Sequence, residues 1–195
     1  MTRRFVRFTL CGALLAAAIA TPALARSPVD KPIELMIGAV RYHKDALALS
    51  TLDGDAQGRA LLGADWTKAT AGQRAEFTRL FQQLFAAIAF PKLRADLVHL
   101  ETALYDKPTT RGDQATLTST LVILNPLKKE ELRVRYDLTR VKHSWKLVDV
   151  TVLGTGGPSM LAGIRDQQVR PIFKDGGWKK LLGLMRDRLA QVQKK

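Results

Sequence analysis

The longest apolar stripe in the sequence lies between residues 70 and 91. Its side chains recur three or four positions apart, as they do on one face of an α-helix. They are Phe77, Leu80, Phe81, Leu84, Phe85 and Ile88. Thr70 stands where an N-cap is expected, and Gln73 is at the spacing that completes a capping box. The pattern predicts a long amphipathic helix that begins after Thr70 and that Pro91 ends.

After Pro91 the apolar residues alternate with polar ones, which is the period of a half-buried β-strand. Four alternating runs follow one another, at residues 98–104, 115–123, 132–138 and 145–153. The connections between the runs are short and rich in Gly, Pro and charged residues. Four strands joined in this way predict an antiparallel meander with one apolar face.

Helical patterns flank the strands on both sides. After Pro32, four apolar residues at helical spacing predict an amphipathic helix, and a shorter helix is expected over residues 60–66. Behind the Gly-rich segment at residues 154–159, helical patterns return, with a break at the KDGG of residues 174–177. The order predicts an α+β fold, in which a four-stranded, largely antiparallel, curved sheet packs its apolar face against helices.

The first 25 residues have the three regions of a secretory signal peptide. The basic start MTRRFVRF precedes the apolar LCGALLAAAIA, and ALA supplies small residues for cleavage after Ala25. The apolar run is shorter than the roughly 20 residues that span a bilayer, so a retained membrane anchor is the weaker alternative. We therefore expect residues 1–25 to be removed and residues 26–195 to form a single exported domain.

The composition of residues 26–195 limits the chemistry available to them. The one cysteine, Cys11, lies in the predicted signal peptide, so disulfides, a thiol nucleophile and a thiolate metal site are excluded. Loss of Arg3, Arg4 and Arg7 lowers the basic residues from 31 to 28 against 18 acidic ones, a net charge of +10. No nucleic-acid-binding signature accompanies this charge. Anionic lipid headgroups or acidic protein surfaces are therefore the expected partners, and a surface charged only for solubility is the alternative.

Metal ligands are not grouped in the sequence. His43, His99 and His143 are far apart, and none belongs to a metal-binding motif. Residues 53–55 have the pattern of the start of a calcium loop, but Ala64 stands where such a loop needs a bidentate Glu. We predict no metal site.

No catalytic set is predicted, so we expect that the protein is not an enzyme. Ser159 lacks the glycine pattern of a nucleophile elbow. Asp149 interrupts an apolar strand and could be the general base of a small cavity enzyme, such as an isomerase or dehydratase. A structural hydrogen bond to a neighbouring loop is the better interpretation of this single carboxylate.

Two ordered blocks of motifs occur in the chain. In LLGADWTKATAGQRAEFTRLFQQLF, a Leu-Gly-x-x-Trp element precedes a Gln-Arg-x-Glu-Phe helix. In VRYDLTRVKHSWKLVDVTVLGTGGPSM, Val-x-Tyr precedes Trp-Lys-x-x-Asp-Val and then Gly and Ser. Both blocks resemble the MlaC and toluene-tolerance family of periplasmic phospholipid carriers. The matching positions include Leu62, Gly63, Trp66, Gln73, Arg74, Glu76, Phe77, Phe81, Leu84, Val134, Tyr136, Trp145, Lys146, Asp149, Val150, Gly154 and Ser159.

The resemblance covers nearly all of residues 26–195 and implies a periplasmic lipid carrier without a cofactor. In such a carrier a cavity between the sheet and the helices holds the acyl chains of a phospholipid, and the headgroup stays in solvent. The implied partners are an inner-membrane ABC transporter with an MCE-domain protein and an outer-membrane lipoprotein–porin complex. The residues predicted to bind lipid are Phe81, Leu84, Phe85, Ile88, Leu100, Leu117, Leu121, Val134, Tyr136, Val148, Val150, Met160, Ile164 and Leu182.

Other functions remain open at this point. The ligand of such a cavity could be a sterol- or hopanoid-like lipid instead of a phospholipid. The cavity enzyme that uses Asp149 is a second hypothesis, and a periplasmic interaction or assembly module whose apolar residues only form a core is a third. Within the long helix, Phe81, Phe85 and Ile88 are expected to border the cavity, and Phe77 to anchor the helix.

Overall fold

The computed structural model describes residues 27–125 and 128–194. The predicted signal peptide and residues 126–127 lie outside this part of the chain. The segment NPLKKE was predicted as a turn, but Asn125 lies in a strand and the next strand begins at Lys128. Within the described residues, helices precede and follow the strands of one antiparallel sheet along the chain. The helices are Lys31–Arg41 (α1), Asp45–Leu49 (α2), Gly54–Leu62 (α3), Ala64–Lys68 (α4), Ala71–Leu97 (α5), Met160–Ile164 (α6) and Arg170–Gln193 (α7), with a π-helical segment at Arg165–Val169.

Helix α5 contains the phenylalanine-rich stripe and is longer than predicted. It begins with the expected capping box, in which the Gln73 N–H donates to Thr70 Oγ1 at 3.2 Å and the Thr70 N–H donates to Gln73 Oε1 at 2.9 Å. It then runs through Pro91 to Leu97, so the prediction that Pro91 ends the helix was wrong. A proline removes one helical hydrogen bond. The core burial of Phe90 before it and Leu97 after it holds both flanking turns against the sheet.

The sheet contains the four predicted strands and a fifth, short one. Its strands are Leu100–Tyr105 (β1), Thr109–Arg111 (β2), Gln114–Asn125 (β3), Lys128–Val141 (β4) and Ser144–Val152 (β5). The spatial order is β1-β3-β4-β5 with antiparallel neighbours, and β2 pairs with the start of β3. The predicted fold class is confirmed. The prediction assigned β2 to a connection because Thr109, Thr110 and Arg111 are all polar and show no alternation, and the structure leaves all three exposed.

Irregular pairing bends the sheet at its last two strands. Asp137 pairs with Asp149, but the next residue of β4, Leu138, pairs with Leu147. Val148 is therefore an extra residue on β5, which forms a β-bulge. A bulge bends its strand and increases the local twist. Leu147, Val148 and Val150 all line the space between the sheet and the helices as a result.

The buried apolar side chains form two separate clusters. One lies between the sheet, α1, α2 and the second half of α5, and includes Val40 and Phe90. The other joins α3, α4 and the first half of α5 to the C-terminal helices, and includes Trp66, Phe77 and Leu181. Helix α5 thus contributes to both. We call the first the sheet cluster and the second the helical cluster.

The predicted break in the C-terminal helical region is confirmed. Helix α7 bends at Gly176 and Gly177, and Gly177 has a φ of +55°, which is accessible to glycine at little cost. Among the described helices, none contains a stretch that is long and apolar enough to cross a membrane.

Candidate functional site

A cavity of about 200 Å³ lies between the sheet and helices α1, α3 and α5. Its wall is almost completely apolar. The bulge in β5 and the curvature of the sheet supply one side, and the apolar stripe of α1 supplies the other. The side chains that line the cavity are Ile33, Met36, Ile37, Val40, Leu52, Gln57, Phe85, Leu93, Leu97, Leu121, Leu132, Val134, Tyr136, Leu147, Val148, Val150, Val152 and Met160.

Half of the fourteen residues predicted to bind lipid lie in the wall of this cavity. They come from α5, from three strands and from the start of α6, so the fold brings together side chains that are far apart in sequence. These residues are Phe85, Leu121, Val134, Tyr136, Val148, Val150 and Met160.

The structure places the other seven predicted residues elsewhere. Leu100 and Leu117 are buried in the sheet cluster without lining the cavity. Ile88 is 42% exposed on α5. The remaining four belong to the helical cluster, and they are Phe81, Leu84, Ile164 and Leu182. Lipid contact by any of the fourteen residues stays a prediction, since the structure contains no ligand.

Sequence reasoning missed one whole wall of the cavity, which is formed by α1. The apolar residues at helical spacing after Pro32 predicted that this helix has a buried face, but not what that face contacts. The same periodicity could have added α1 to the predicted site. The four α1 residues in the wall are Ile33, Met36, Ile37 and Val40. No pattern in the sequence indicated that Gln57 lines the cavity.

Two polar side chains interrupt the apolar wall. The Tyr136 hydroxyl oxygen lies 3.0 Å from the hydroxyl oxygen of Ser119, a residue that is fully buried. Burial raises the pKa of Tyr136, and the hydrogen bond to Ser119 partly offsets this rise. The phenol therefore stays protonated at neutral pH. The other polar side chain is Gln57, whose Nε2 donates to the Val148 carbonyl oxygen at 3.1 Å.

We expect Tyr136→Phe to lower the free energy of unfolding by about 1–3 kcal/mol at neutral pH, because the buried Ser119 hydroxyl loses its partner. The pKa of Tyr136 is raised from 10.0 in the folded protein, so its contribution to stability is complete below that pH and is lost as the pH rises further. Denaturant unfolding at neutral pH and above pH 10 measures both effects. The variant should lose less stability than the wild type in the alkaline range, and equal losses would contradict the assignment.

Asp149 has a structural role in this fold. Its Oδ1 accepts hydrogen bonds from the Val150 N–H at 2.8 Å and from the Leu161 N–H at 2.9 Å, which ties β5 to the start of α6. It is not among the residues that line the cavity. The predicted hydrogen bond between this carboxylate and a neighbouring segment is therefore present. Across the described residues, no three His, Cys, Asp or Glu side chains converge as a metal site requires.

A basic groove of about 770 Å³ lies outside the cavity, between the α3–α4 junction and the start of α7. Arg59, Arg165, Arg170 and Lys174 contribute to its wall. Arg165 and Arg170 share one carboxylate, that of Asp166, at 2.8 and 3.2 Å. Arg59 pairs with Asp55, and Asp65 also lines the groove, so four basic side chains stand against three acidic ones. The groove thus has more positive than negative charge.

Comparison with known proteins gives one family and one fold. The sequence matches the family model of the MlaC protein over residues 39–187. The fold is similar to that of a phospholipid-binding protein from Ralstonia solanacearum, which was solved in complex with a phospholipid. The TM-score is 0.67 at 18% identity, and the match covers 85% of this chain and 97% of that one. No curated protein matched the sequence.

Proposed function

Because this chain belongs to the MlaC protein family, we propose that it is a periplasmic carrier that binds phospholipid and shuttles it between the inner and outer membranes. The observation that carries the proposal is the almost completely apolar cavity between sheet and helices. The phospholipid bound by the Ralstonia solanacearum protein, which has a similar fold, supports the same ligand class. The acyl chains lie in the cavity and the headgroup stays in solvent. In this proposal the protein binds and transports lipid and does not catalyse a reaction.

The size of the cavity implies that its walls separate when lipid enters. Its volume of about 200 Å³ is below the roughly 300–1,000 Å³ of ordinary small-molecule pockets. The apolar face of α1 packs against the sheet through non-directional contacts, so this wall can move away from the sheet. The wall at α3 stays tied to β5, because the Asp53 N–H donates to the Leu147 carbonyl oxygen at 3.0 Å. Leu93 and Val152 are 38% and 36% exposed. They therefore mark the opening to solvent through which the acyl chains enter.

The energy of acyl-chain burial requires that lipid is handed over by direct contact. At about 0.8 kcal/mol per methylene, two chains of about 16 carbons gain on the order of 20 kcal/mol on leaving water. Release into the aqueous periplasm would therefore be far too slow for transport. The lipid passes from the cavity of the carrier to that of a membrane complex while the two are docked.

The basic groove is the surface we propose for docking. Its excess of positive charge complements acidic faces on partner proteins and speeds association by electrostatic attraction. The proposed partners are an inner-membrane ABC transporter with an MCE-domain protein and an outer-membrane lipoprotein–porin complex. The groove lies apart from the cavity wall, so a docked partner leaves the walls free to move.

Protein purified after export, without detergent, should contain about one phospholipid per chain. The reason is that spontaneous release is slow when so much apolar surface is buried. Organic extraction followed by lipid mass spectrometry identifies and counts the bound molecules, including any sterol- or hopanoid-like lipid. A protein that stays empty after mixing with phospholipid vesicles would rule out the carrier function.

A further inference from the structure

We propose that Gln57 selects the lipid by accepting a hydrogen bond from a hydroxyl group on the buried, apolar part of the ligand. The inference rests on the proposed function, because it requires that lipid occupies the cavity. The selectivity proposed here acts on the buried apolar part of the lipid and is independent of its headgroup.

The orientation of the Gln57 amide follows from its neighbour. Gln57 lies on α3, lines the cavity and is 1% exposed. Its side chain is 3.1 Å from the carbonyl oxygen of Val148, which can only accept a hydrogen bond. The NH₂ group must therefore face Val148, and the remaining atom, Oε1, is an acceptor.

Gln57 Oε1 has no hydrogen-bond donor within the described residues, and less than 1 Å² of its surface is accessible. Neither the protein nor solvent therefore satisfies it in this conformation. Buried polar atoms in native proteins are nearly always paired, and leaving one unpaired is destabilising. The cavity must widen to admit lipid, and a ligand group that reaches Gln57 Oε1 while the NH₂ group keeps its bond to Val148 can then supply the missing donor.

The chemistry of the acceptor defines the donor it needs. Hydrocarbon and ester groups offer no N–H or O–H, so the acyl chains and ester linkages of an ordinary diacyl phospholipid have no donor to place beside Gln57. The donors of its headgroup stay in solvent with the headgroup. A charged amine would be costly to bury in an apolar wall. A neutral hydroxyl group fits, whether it is carried on an acyl chain or on a fused-ring skeleton.

The second polar side chain of the cavity does not need such a ligand. The Tyr136 hydroxyl already has Ser119 as its partner. Of these two polar side chains, only Gln57 depends on the ligand for a hydrogen-bond partner. The expected selectivity for a hydroxylated lipid can therefore be assigned to this one residue.

The proposal is tested with pairs of phosphatidylglycerol probes that differ only by one hydroxyl. One member carries two stearoyl chains, and the other carries one hydroxystearoyl chain with the hydroxyl early, midway or at the far end of the chain. Delipidated protein is incubated with an equal mixture of each pair, and native mass spectrometry gives the ratio of the bound species. We expect the wild type to prefer the hydroxylated probe by about tenfold for at least one hydroxyl position.

Two variants assign the preference to Gln57. Gln57→Leu removes the acceptor and should bring the bound ratio close to one, while total lipid binding continues. Gln168→Leu makes the same change at an exposed residue that does not line the cavity, and it should keep the wild-type ratio. If Gln57→Leu does not fold, the wild-type ratios over the three positions still decide the question.

The outcomes separate this inference from the proposed function. Binding of both probes by the wild type without preference at any position would overturn the role of Gln57 and leave the carrier function intact. An equal preference in the wild type and Gln57→Leu would also overturn it. If neither probe binds, the carrier function fails and the inference fails with it.

Discussion

Replacing Val150 with tryptophan should weaken phospholipid binding by at least an order of magnitude without unfolding the protein. Val150 is partly buried on β5 and lines the cavity, so the added ring extends into open space. The indole ring and the acyl chains would compete for a cavity of only about 200 Å³. If the indole displaces three methylenes of the ligand, at about 0.8 kcal/mol each, affinity falls on the order of 50-fold.

The matched control for this experiment is Val141→Trp. Val141 is 41% exposed at the end of β4 and does not line the cavity, so the same change there should leave binding near the wild-type value. Bound phospholipid per chain is measured by native mass spectrometry after incubation with vesicles, and circular dichroism checks the fold. Equal binding by the two folded variants would show that the cavity is not the lipid site.

Replacing Trp66 with alanine should lower the free energy of unfolding by about 3–5 kcal/mol. Trp66 is 2% exposed and meets Phe77 edge to face, with ring centroids 5.6 Å apart. Its Nε1 also donates to Asp55 Oδ1 at 2.9 Å. The fold requires glycine at position 58 beside it, because a Cβ there would lie 2.5 Å from the indole ring. Truncation of Trp66 therefore leaves a cavity that rigid neighbours cannot fill.

Urea unfolding measures this loss, with Leu184→Ala as the control. Leu184 is exposed on α7, so its truncation should change stability by less than about 0.5 kcal/mol. Trp66 belongs to the helical cluster and not to the cavity wall. Folded Trp66→Ala should therefore still bind phospholipid. Loss of binding in fully folded protein, or a stability like that of the control, would contradict this division.

The two halves of α5 have different roles. Phe77 and Phe81 stack at 5.8 Å within the helical cluster. Phe85 lines the cavity, whereas Phe81 and Ile88 do not. The first half of the apolar stripe therefore packs in the helical cluster, and the stripe forms part of the cavity wall only further along the helix.

Secondary structure was predictable where its signal was local. Residues 115–121 of β3 and 134–138 of β4 alternate between a buried and a less buried face, and the capping box at Thr70 depends on residues three positions apart. The errors came from contacts with the rest of the fold. Packing of Phe90 and Leu97 keeps α5 helical across Pro91, and β2 is a strand because β3 offers it hydrogen-bond partners.

The sequence alone determined the α+β class, the order of the elements and the resemblance to a family of lipid carriers, because periodicity and ordered motifs are properties of the chain itself. Only the tertiary structure decided which apolar residues line the cavity. A helical or strand period shows that a face is buried, but not which surface covers it. The position of Gln57 beside Val148 was decided in the same way, by two segments that are distant in sequence and meet only in the fold.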